Sequence, residues 1–140
     1  MTRRMNRRRF IAFLSGGLAA CNPVRNYKEV DAAVEQFHRR LNSDEFDAIY
    51  NDLAPVYQRS LDRDTHRKFL TRVRRKMGRL QSAGRIGYQV HYDPQGAFAT
   101  ATYRTTFANG DATEIFQLRI ADGKARFLAY TLNSALMLTD

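Results

Sequence analysis

The residue whose type and position could best support chemistry is Glu114, because it interrupts an inward-facing apolar pattern. Counting alternate residues puts its carboxylate on the same face of a strand as Phe116, Leu118 and Ile120. A carboxylate aimed at an apolar interior is a candidate general base or a candidate anchor for a ligand. We therefore take Glu114 as the centre of a candidate pocket.

Tyrosines on the neighbouring strands would add hydroxyl groups to this pocket. Tyr130 is predicted to lie opposite Glu114, and Tyr88 and Tyr103 share the same face. One interpretation is a small-molecule hydrolase or isomerase that uses Glu114 and Tyr130, which requires an open and hydrated interior. The other is structural, with Glu114 at the rim and hydrogen-bonded to Tyr130 or Thr105.

The three histidines give no sign of a metal or triad site. His38 is predicted on a helix flank, His66 at a helix start and His91 on the polar face of a strand. No two of them have the spacing of metal ligands, so we expect each to be exposed, and we expect no metal and no cofactor.

A basic surface is the second candidate site. Its members recur at helical spacing opposite an apolar stripe, and they are Lys68, Arg72, Arg75 and Arg79. Like charges at this spacing repel by about a few tenths of a kcal/mol per pair. The pattern is typical of a solvated helix face, and it also fits a surface that binds anionic lipid or an acidic envelope polymer.

Hydrophobic periodicity predicts three helices at the start of the domain. The first carries its apolar residues on one stripe, which comprises Val30, Ala33, Val34, Phe37 and Leu41. The predicted helices are residues 27–42, residues 43–55 with a cap at Ser43 and a stop or kink at Pro55, and a third from Asp64 or Thr65 to just before Gly84.

The chain after Arg85 alternates with period two and predicts four antiparallel strands. The predicted turns are Asp93-Pro94-Gln95-Gly96, Asn109-Gly110 and Asp122-Gly123. A turn at Pro94-Gln95 pairs Val90 with Ala99 and Tyr88 with Ala101, and a turn at Asn109-Gly110 pairs Tyr103 with Phe116. Both turns make the same face apolar, so the register is self-consistent.

The last hairpin allows two registers. A three-residue loop with a bulge at Gly123 turns Leu128, Tyr130 and Leu132 inward, whereas a two-residue loop turns Phe127, Ala129 and Thr131 inward. We favour the first because it buries more apolar area.

Helices followed by a curved antiparallel sheet resemble the nuclear transport factor 2-like, or cystatin-like, α+β cone. The segments Tyr103-Arg104-Thr105-Thr106-Phe107-Ala108-Asn109-Gly110, Glu114, Asp122-Gly123-Lys124 and Ala129-Tyr130 are similar to an uncharacterised family of small exported bacterial proteins with this fold. The resemblance covers residues 28 to 132. It implies an α+β fold of three N-terminal helices packed on a curved four-stranded antiparallel sheet, and it implies no particular activity.

The first 20 residues predict a lipoprotein signal peptide. Five arginines precede an apolar run from Phe10 to Ala20, and the run is followed by Cys21, the only cysteine of the chain. As a helix this run would rise about 16 Å, roughly half of a hydrocarbon core. We expect cleavage before Cys21 and its lipidation, then a short tether to residue 27 and one domain over residues 28–140.

The sequence leaves two export routes open. Arg7 and Arg8 lie in Asn6-Arg7-Arg8-Arg9-Phe10-Ile11, which resembles the twin-arginine motif, and arginine-rich starts also occur in general secretory signals. Asn22 stands where an aspartate would resemble an inner-membrane retention signal. In a diderm host we therefore expect the periplasmic face of the outer membrane.

Charge and cysteine content exclude several classes of function. The whole chain has a net charge of +9, and removal of the signal leaves 18 basic and 14 acidic side chains, a net charge of +4. Nucleic acid is therefore not an expected partner. With Cys21 lipidated, the mature chain has no thiol for disulfides, redox chemistry or zinc.

These observations predict a lipid-anchored cell-envelope protein with a non-catalytic binding or accessory domain. The expected partners are the membrane, through the lipid, and an envelope protein, an envelope polymer or a small hydrophobic ligand. A homodimer through the sheet is a further option. The alternative function is the hydrolase or isomerase built on Glu114 and Tyr130.

Overall fold

The computed structural model of the chain describes residues 23–139, with side chains from residue 27 onward. The predicted signal peptide, with Arg7, Arg8 and Cys21, lies outside the described residues. Four helices precede a curved four-stranded antiparallel sheet of order β1-β2-β3-β4. The elements are α1 Pro23–Asn42, α2 Phe46–Asn51, α3 Pro55–Ser60, α4 Arg63–Met77, β1 Leu80–Asp93, β2 Gly96–Phe107, β3 Gly110–Ala121, β4 Lys124–Asn133 and a 3₁₀ turn at Ala135–Met137.

The helical part contains one helix more than the sequence predicts. Pro55 does not only end α2, because it also occupies the first position of α3, where its missing N–H costs nothing. Ser43 is not a cap, since its N–H still bonds to Arg39 in the last turn of α1. The cap of α4 is Asp62, whose carboxylate accepts from the N–H of Thr65 at 3.0 Å.

The ends of α1 and α4 also differ from expectation. α1 already begins at Pro23, so the tether predicted to extend through residue 27 is largely helical. α4 ends at Met77 because Gly78 takes a positive φ of 77°. Arg79 therefore follows the helix, and β1 begins at Leu80, before the predicted start.

The predicted register is confirmed in the first hairpin and shifted in the second. Val90 pairs with Ala99 as expected. In the second hairpin Ala101 pairs with Phe116, two residues from the prediction, because the turn is at Ala108-Asn109. Asn109 fixes this turn by bonding through its backbone N–H to Met77 and through its side chain to Lys76, at the end of α4. A shift of two residues keeps the same side chains inward.

The last hairpin combines both registers that the sequence allows. A two-residue turn at Asp122-Gly123 turns Phe127 inward opposite Leu118. A β-bulge after this pair then turns Tyr130 inward opposite Phe116. The favoured three-residue loop is therefore wrong, although its inward-facing Tyr130 is correct.

The core lies between α1 and the concave face of the sheet. Small side chains on β2, including Ala99 and Ala101, leave room for α1 to approach. Phe37 of α1 packs on Phe116 with ring centroids 5.2 Å apart. The buried stripe of α1 comprises Val30, Val34, Phe37, His38 and Leu41. None of the described helices is long and apolar enough to cross a bilayer.

We predict that Gly96→Ala destabilises the domain. Gly96 has a φ of 124°, and a Cβ there would lie 2.3 Å from the carbonyl oxygen of Ile120. Strain of this kind costs about 1–3 kcal/mol before the clash is counted, so we expect a loss of at least about 2 kcal/mol in urea unfolding. The matched control is Gly84→Ala, where a Cβ meets nothing within 4 Å. Equal stability of the two variants would contradict the prediction.

Candidate functional site

Glu114 lies at the centre of the buried polar groups and has no solvent-exposed surface. Its Oε1 accepts a hydrogen bond from the hydroxyl of Tyr130 at 2.5 Å. Its Oε2 accepts from Nε2 of His38 at 2.7 Å. Because a carboxylate only accepts, this contact assigns a proton to Nε2. Both oxygens of the carboxylate are therefore engaged within the protein.

Three elements bring these groups together. The alternation of β3 turns Glu114 inward, as the sequence predicts. The β4 bulge turns Tyr130 inward two residue pairs away, so that Leu132, and not Tyr130, lies directly opposite Glu114. His38 reaches the carboxylate from α1, four residues after the buried Val34. Glu114 is thus deep in the core and not at the rim.

The surroundings of this network are aromatic. Phe37 and Phe116 both contact the ring of Tyr130, with centroids 4.7 and 5.0 Å apart. Burial, and then the charge of Glu114 that the hydroxyl faces, raise the pKa of Tyr130 well above its usual value. The phenol therefore stays protonated and continues to donate to the carboxylate.

The other two predicted pocket residues, Tyr103 and Tyr88, have contacts of their own. Tyr103 lies directly opposite Glu114 on β2, but its hydroxyl donates to Oδ1 of Asp31 at 2.6 Å, and Asp31 also pairs with Arg85 at 2.9 Å. Burial and the bond to Asp31 raise the pKa of Tyr103. The ring of Tyr88 packs against that of Tyr27 of α1, with centroids 4.0 Å apart. The hydroxyls of the predicted pocket therefore have different partners, Glu114 for Tyr130 and Asp31 for Tyr103.

A cleft of about 400 Å³ lies beside Tyr103 and Asp31, and His38 also lines it. The remaining lining residues come from α1, β1 and β2, and they are Asp31, Val34, Glu35, Ala83, Arg85 and Tyr103. His38 is the functional candidate that the sequence reasoning missed. Its position between Val34 and Leu41 on the apolar stripe of α1 was the available signal, since a residue four after one and three before the other shares their face.

The expectation that every histidine is exposed is wrong for two of them. His38 is 6% exposed and His66 is 3% exposed. His66 lies on the buried stripe of α4, beside the ring of Tyr50 at 5.5 Å. Burial, with a further contribution from the charge of Arg63, lowers the pKa of His66. His91 is exposed, as predicted.

The interior of the cone is filled by side chains. Phe116 and Leu118 are fully buried and Tyr103 is 6% exposed. Phe69 packs on the edge of this core, with its ring 6.0 Å from that of Tyr130. Among residues 23–139, no group of three His, Cys, Asp or Glu side chains is arranged to hold a metal ion. Solvent approaches the network through the cleft beside His38.

The basic surface is exposed, but its members differ in their contacts. Lys68 pairs with Asp64 on the same helix at 2.7 Å. Arg72 donates to the carbonyl oxygen of Met137, and Arg79 donates to that of Asn42. Within residues 27–139, no carboxylate forms an ion pair with Arg72, Arg75 or Arg79. This group is therefore positively charged without internal compensation.

Comparison with known proteins gives a family and a shared fold. A family model described as "Protein of unknown function (DUF4019)" matches residues 33–130. No curated protein matches the chain significantly. Among solved structures, the chain is similar to Aln2 from a Streptomyces species, with a TM-score of 0.54 and 14% sequence identity over 84% of this chain and 95% of that one. At this identity the likeness shows the α+β fold alone.

We predict that Tyr130→Phe lowers the free energy of unfolding at pH 7 by about 2 kcal/mol, because it removes a donor to a buried charged acceptor and keeps the ring. The exposed Thr131 on the same strand supplies the control. Thr131→Val also removes a hydroxyl, and we expect a change within about 0.5 kcal/mol in urea unfolding. A neutral Tyr130→Phe variant would show that this hydroxyl does not stabilise the carboxylate.

We also predict that, as the pH rises above 10, the free energy of unfolding falls less steeply in Tyr130→Phe than in the wild type. In the unfolded chain Tyr130 loses its proton near the usual pKa of 10.0, whereas the folded protein holds it to a higher pH. The stabilisation is therefore complete below pH 10 and is lost as the pH rises above it, by about 1.4 kcal/mol per pH unit for one proton. Since the unfolded chain is half deprotonated at pH 10, we expect the stability lost between pH 10 and 11 to be smaller by about 1 kcal/mol in Tyr130→Phe. Parallel slopes would contradict the assignment.

Proposed function

The chain belongs to the DUF4019 family, and from this membership and the geometry of its domain we propose a lipid-anchored cell-envelope protein that binds an acidic envelope polymer. In this proposal Cys21 carries the lipid and the domain acts by binding, without catalysis. In a diderm host the protein would lie on the periplasmic face of the outer membrane. The observation that carries the binding role is the group of exposed arginines Arg72, Arg75 and Arg79, with which no carboxylate of residues 27–139 forms an ion pair.

The anchor is supported by the sequence. Basic residues, a short apolar run and small residues precede Cys21 in the order of a lipoprotein signal. Diacylglyceryl on the thiol together with an acyl chain on the new amino group gives the two attachments that stable anchoring requires. Arg7 and Arg8 are consistent with twin-arginine export of a folded domain.

The choice of an acidic polymer over the anchoring membrane follows from position. Arg79 contacts the last residue of α1, while the anchor precedes the first residue of that helix. The 20 residues of α1 span about 30 Å, which is roughly four Debye lengths at physiological salt. An anionic surface at the start of α1 would therefore attract these arginines little. A polymer on the other side of the domain would be within reach.

A binding role is also consistent with the closed interior. Glu114 has no free oxygen and no exposed surface, so it has no lone pair turned to a substrate. One specific observation supports the hydrolase or isomerase alternative. His38 lines the cleft, and its Nε2 is hydrogen-bonded to Glu114. In that alternative His38 would be the general base. Turnover of an ester or an enolisable ketone that is lost in His38→Gln would favour it.

We predict that Arg72→Gln/Arg75→Gln/Arg79→Gln reduces cosedimentation with purified peptidoglycan, an acidic polymer, by at least about tenfold, because each arginine close to an anionic surface contributes about 1 kcal/mol. The control removes three exposed arginines elsewhere, namely Arg59, Arg104 and Arg126, so that the net charge is equal. Equal loss in both variants would indicate a general charge effect and would contradict a binding surface.

We predict that Cys21→Ser moves the protein from the membrane fraction to the soluble fraction and abolishes the diacylglyceryl mass in intact-mass spectrometry. Asn22→Ser is the matched neighbour and should remain lipidated. An uncleaved wild-type chain with an unmodified Cys21 would overturn the anchor, and wild-type protein in the inner membrane would overturn the proposed location.

A further inference from the structure

The direction of the strands identifies which end of the domain faces the proposed anchor. One residue of sequence, Asn22, separates Cys21 from Pro23 at the start of α1, so the two are at most about 7 Å apart. Near this start, Tyr27 packs against Tyr88 of β1. β1 continues from Tyr88 to Asp93 and its turn with β2. The start of α1 and the end of β1 are therefore neighbouring parts of one surface.

This surface carries several tyrosines, with a cation beside two of them. Tyr92 is 48% exposed. The guanidinium of Arg85 lies 4.5 Å from the ring centre of Tyr27 and 5.4 Å from that of Tyr88. The exposed Tyr92 leaves a large apolar group in solvent at this end of the domain. We call Tyr27, Arg85, Tyr88 and Tyr92 the anchor-end surface.

Tyr92 is the member of the anchor-end surface that suits the boundary between lipid and water, because the hydroxyl of Tyr88 is buried. A tyrosine ring is apolar along its body and carries a hydroxyl that needs water or a polar headgroup, so tyrosines collect at membrane interfaces. The guanidinium of Arg85 pairs with Asp31, and its part in this surface is to hold the rings of Tyr27 and Tyr88 in place. A lysine, Lys28, is also exposed on α1 beside this surface.

The opposite end of the domain has a different character. Ala97, the β2 partner of Tyr92, lies ten residues before Phe107 at the β2–β3 turn. Along a strand, ten residues span about 33 Å. This end holds the basic surface and the C-terminal segment, since Arg72 contacts Met137 and Leu136 approaches Gly110. Leu138 is 87% exposed there.

We propose that the anchor-end surface lies in the lipid headgroup region and orients the domain on the membrane. Tyr92 then enters the interface beside the lipidated cysteine, and the basic surface faces away from the bilayer. This inference rests on the proposed lipid anchor, because the anchor determines which end meets the membrane. It assigns to Tyr92 an interfacial contact with lipid and no ligand.

The test uses the absence of tryptophan from the chain, since one substitution introduces a unique fluorophore. Full-length lipidated Tyr92→Trp and Leu138→Trp would each be reconstituted into vesicles of phosphatidylethanolamine and phosphatidylglycerol, with and without lipid brominated near the headgroup. We expect bromine to quench Tyr92→Trp at least about twofold more strongly than Leu138→Trp, because interfacial rings lie within the headgroup layer. Urea unfolding would confirm that both variants fold.

The possible outcomes separate the orientation from the anchor. If the lipidated wild type fails to float with vesicles, the proposed anchor fails and the orientation fails with it. Flotation with equal quenching of both variants, or stronger quenching of Leu138→Trp, overturns the orientation alone. A blue-shifted but unquenched Tyr92→Trp would place a second protein surface on Tyr92, such as another copy of the chain, and would also overturn it.

Discussion

A carboxylate inside an apolar core is the constraint that the rest of the structure has to satisfy. An unpaired charge at this depth would cost several kcal/mol, so each oxygen of Glu114 needs a donor. The donors come from different elements, His38 from α1 and Tyr130 from β4. Sliding α1 by one helical turn would move His38 about 5.4 Å and leave one oxygen unpaired. The network therefore selects one position of the helix on the sheet.

The same packing also closes the interior of the domain. Rings from α1, β3 and β4 fill the concave face, with Phe37, Phe116, Phe127 and Tyr130 in mutual contact. A cone closed in this way leaves the cleft beside His38 and the outer surfaces as the regions that a partner can reach. Its two ends also carry different chemistry, aromatic near the start of α1 and basic near its end.

The sequence predicted those features that depend on local pattern. Alternation alone placed Glu114 inward, and one tight turn fixed the pairing of Val90 with Ala99. The features that it did not predict depend on contacts between distant parts. The second turn moved to Ala108-Asn109 because Asn109 bonds to the end of α4, a contact with no trace in the hairpin itself. His38 was placed on a flank because a polar residue was not read as part of the buried stripe.

The bulge in β4 has a consequence for how the length of this hairpin can change during evolution. The bulge adds one residue to β4 between Phe127 and Tyr130. Because of this residue, Phe127 can face the core in the pairing set by the two-residue turn, and Tyr130 can still face the core near Glu114. A hairpin with one more residue in the turn could pair regularly and still keep Tyr130 in place, with Phe127 turned out of the core. Relatives with a longer β3–β4 loop are therefore expected to have no bulge and a small or polar residue at the position of Phe127.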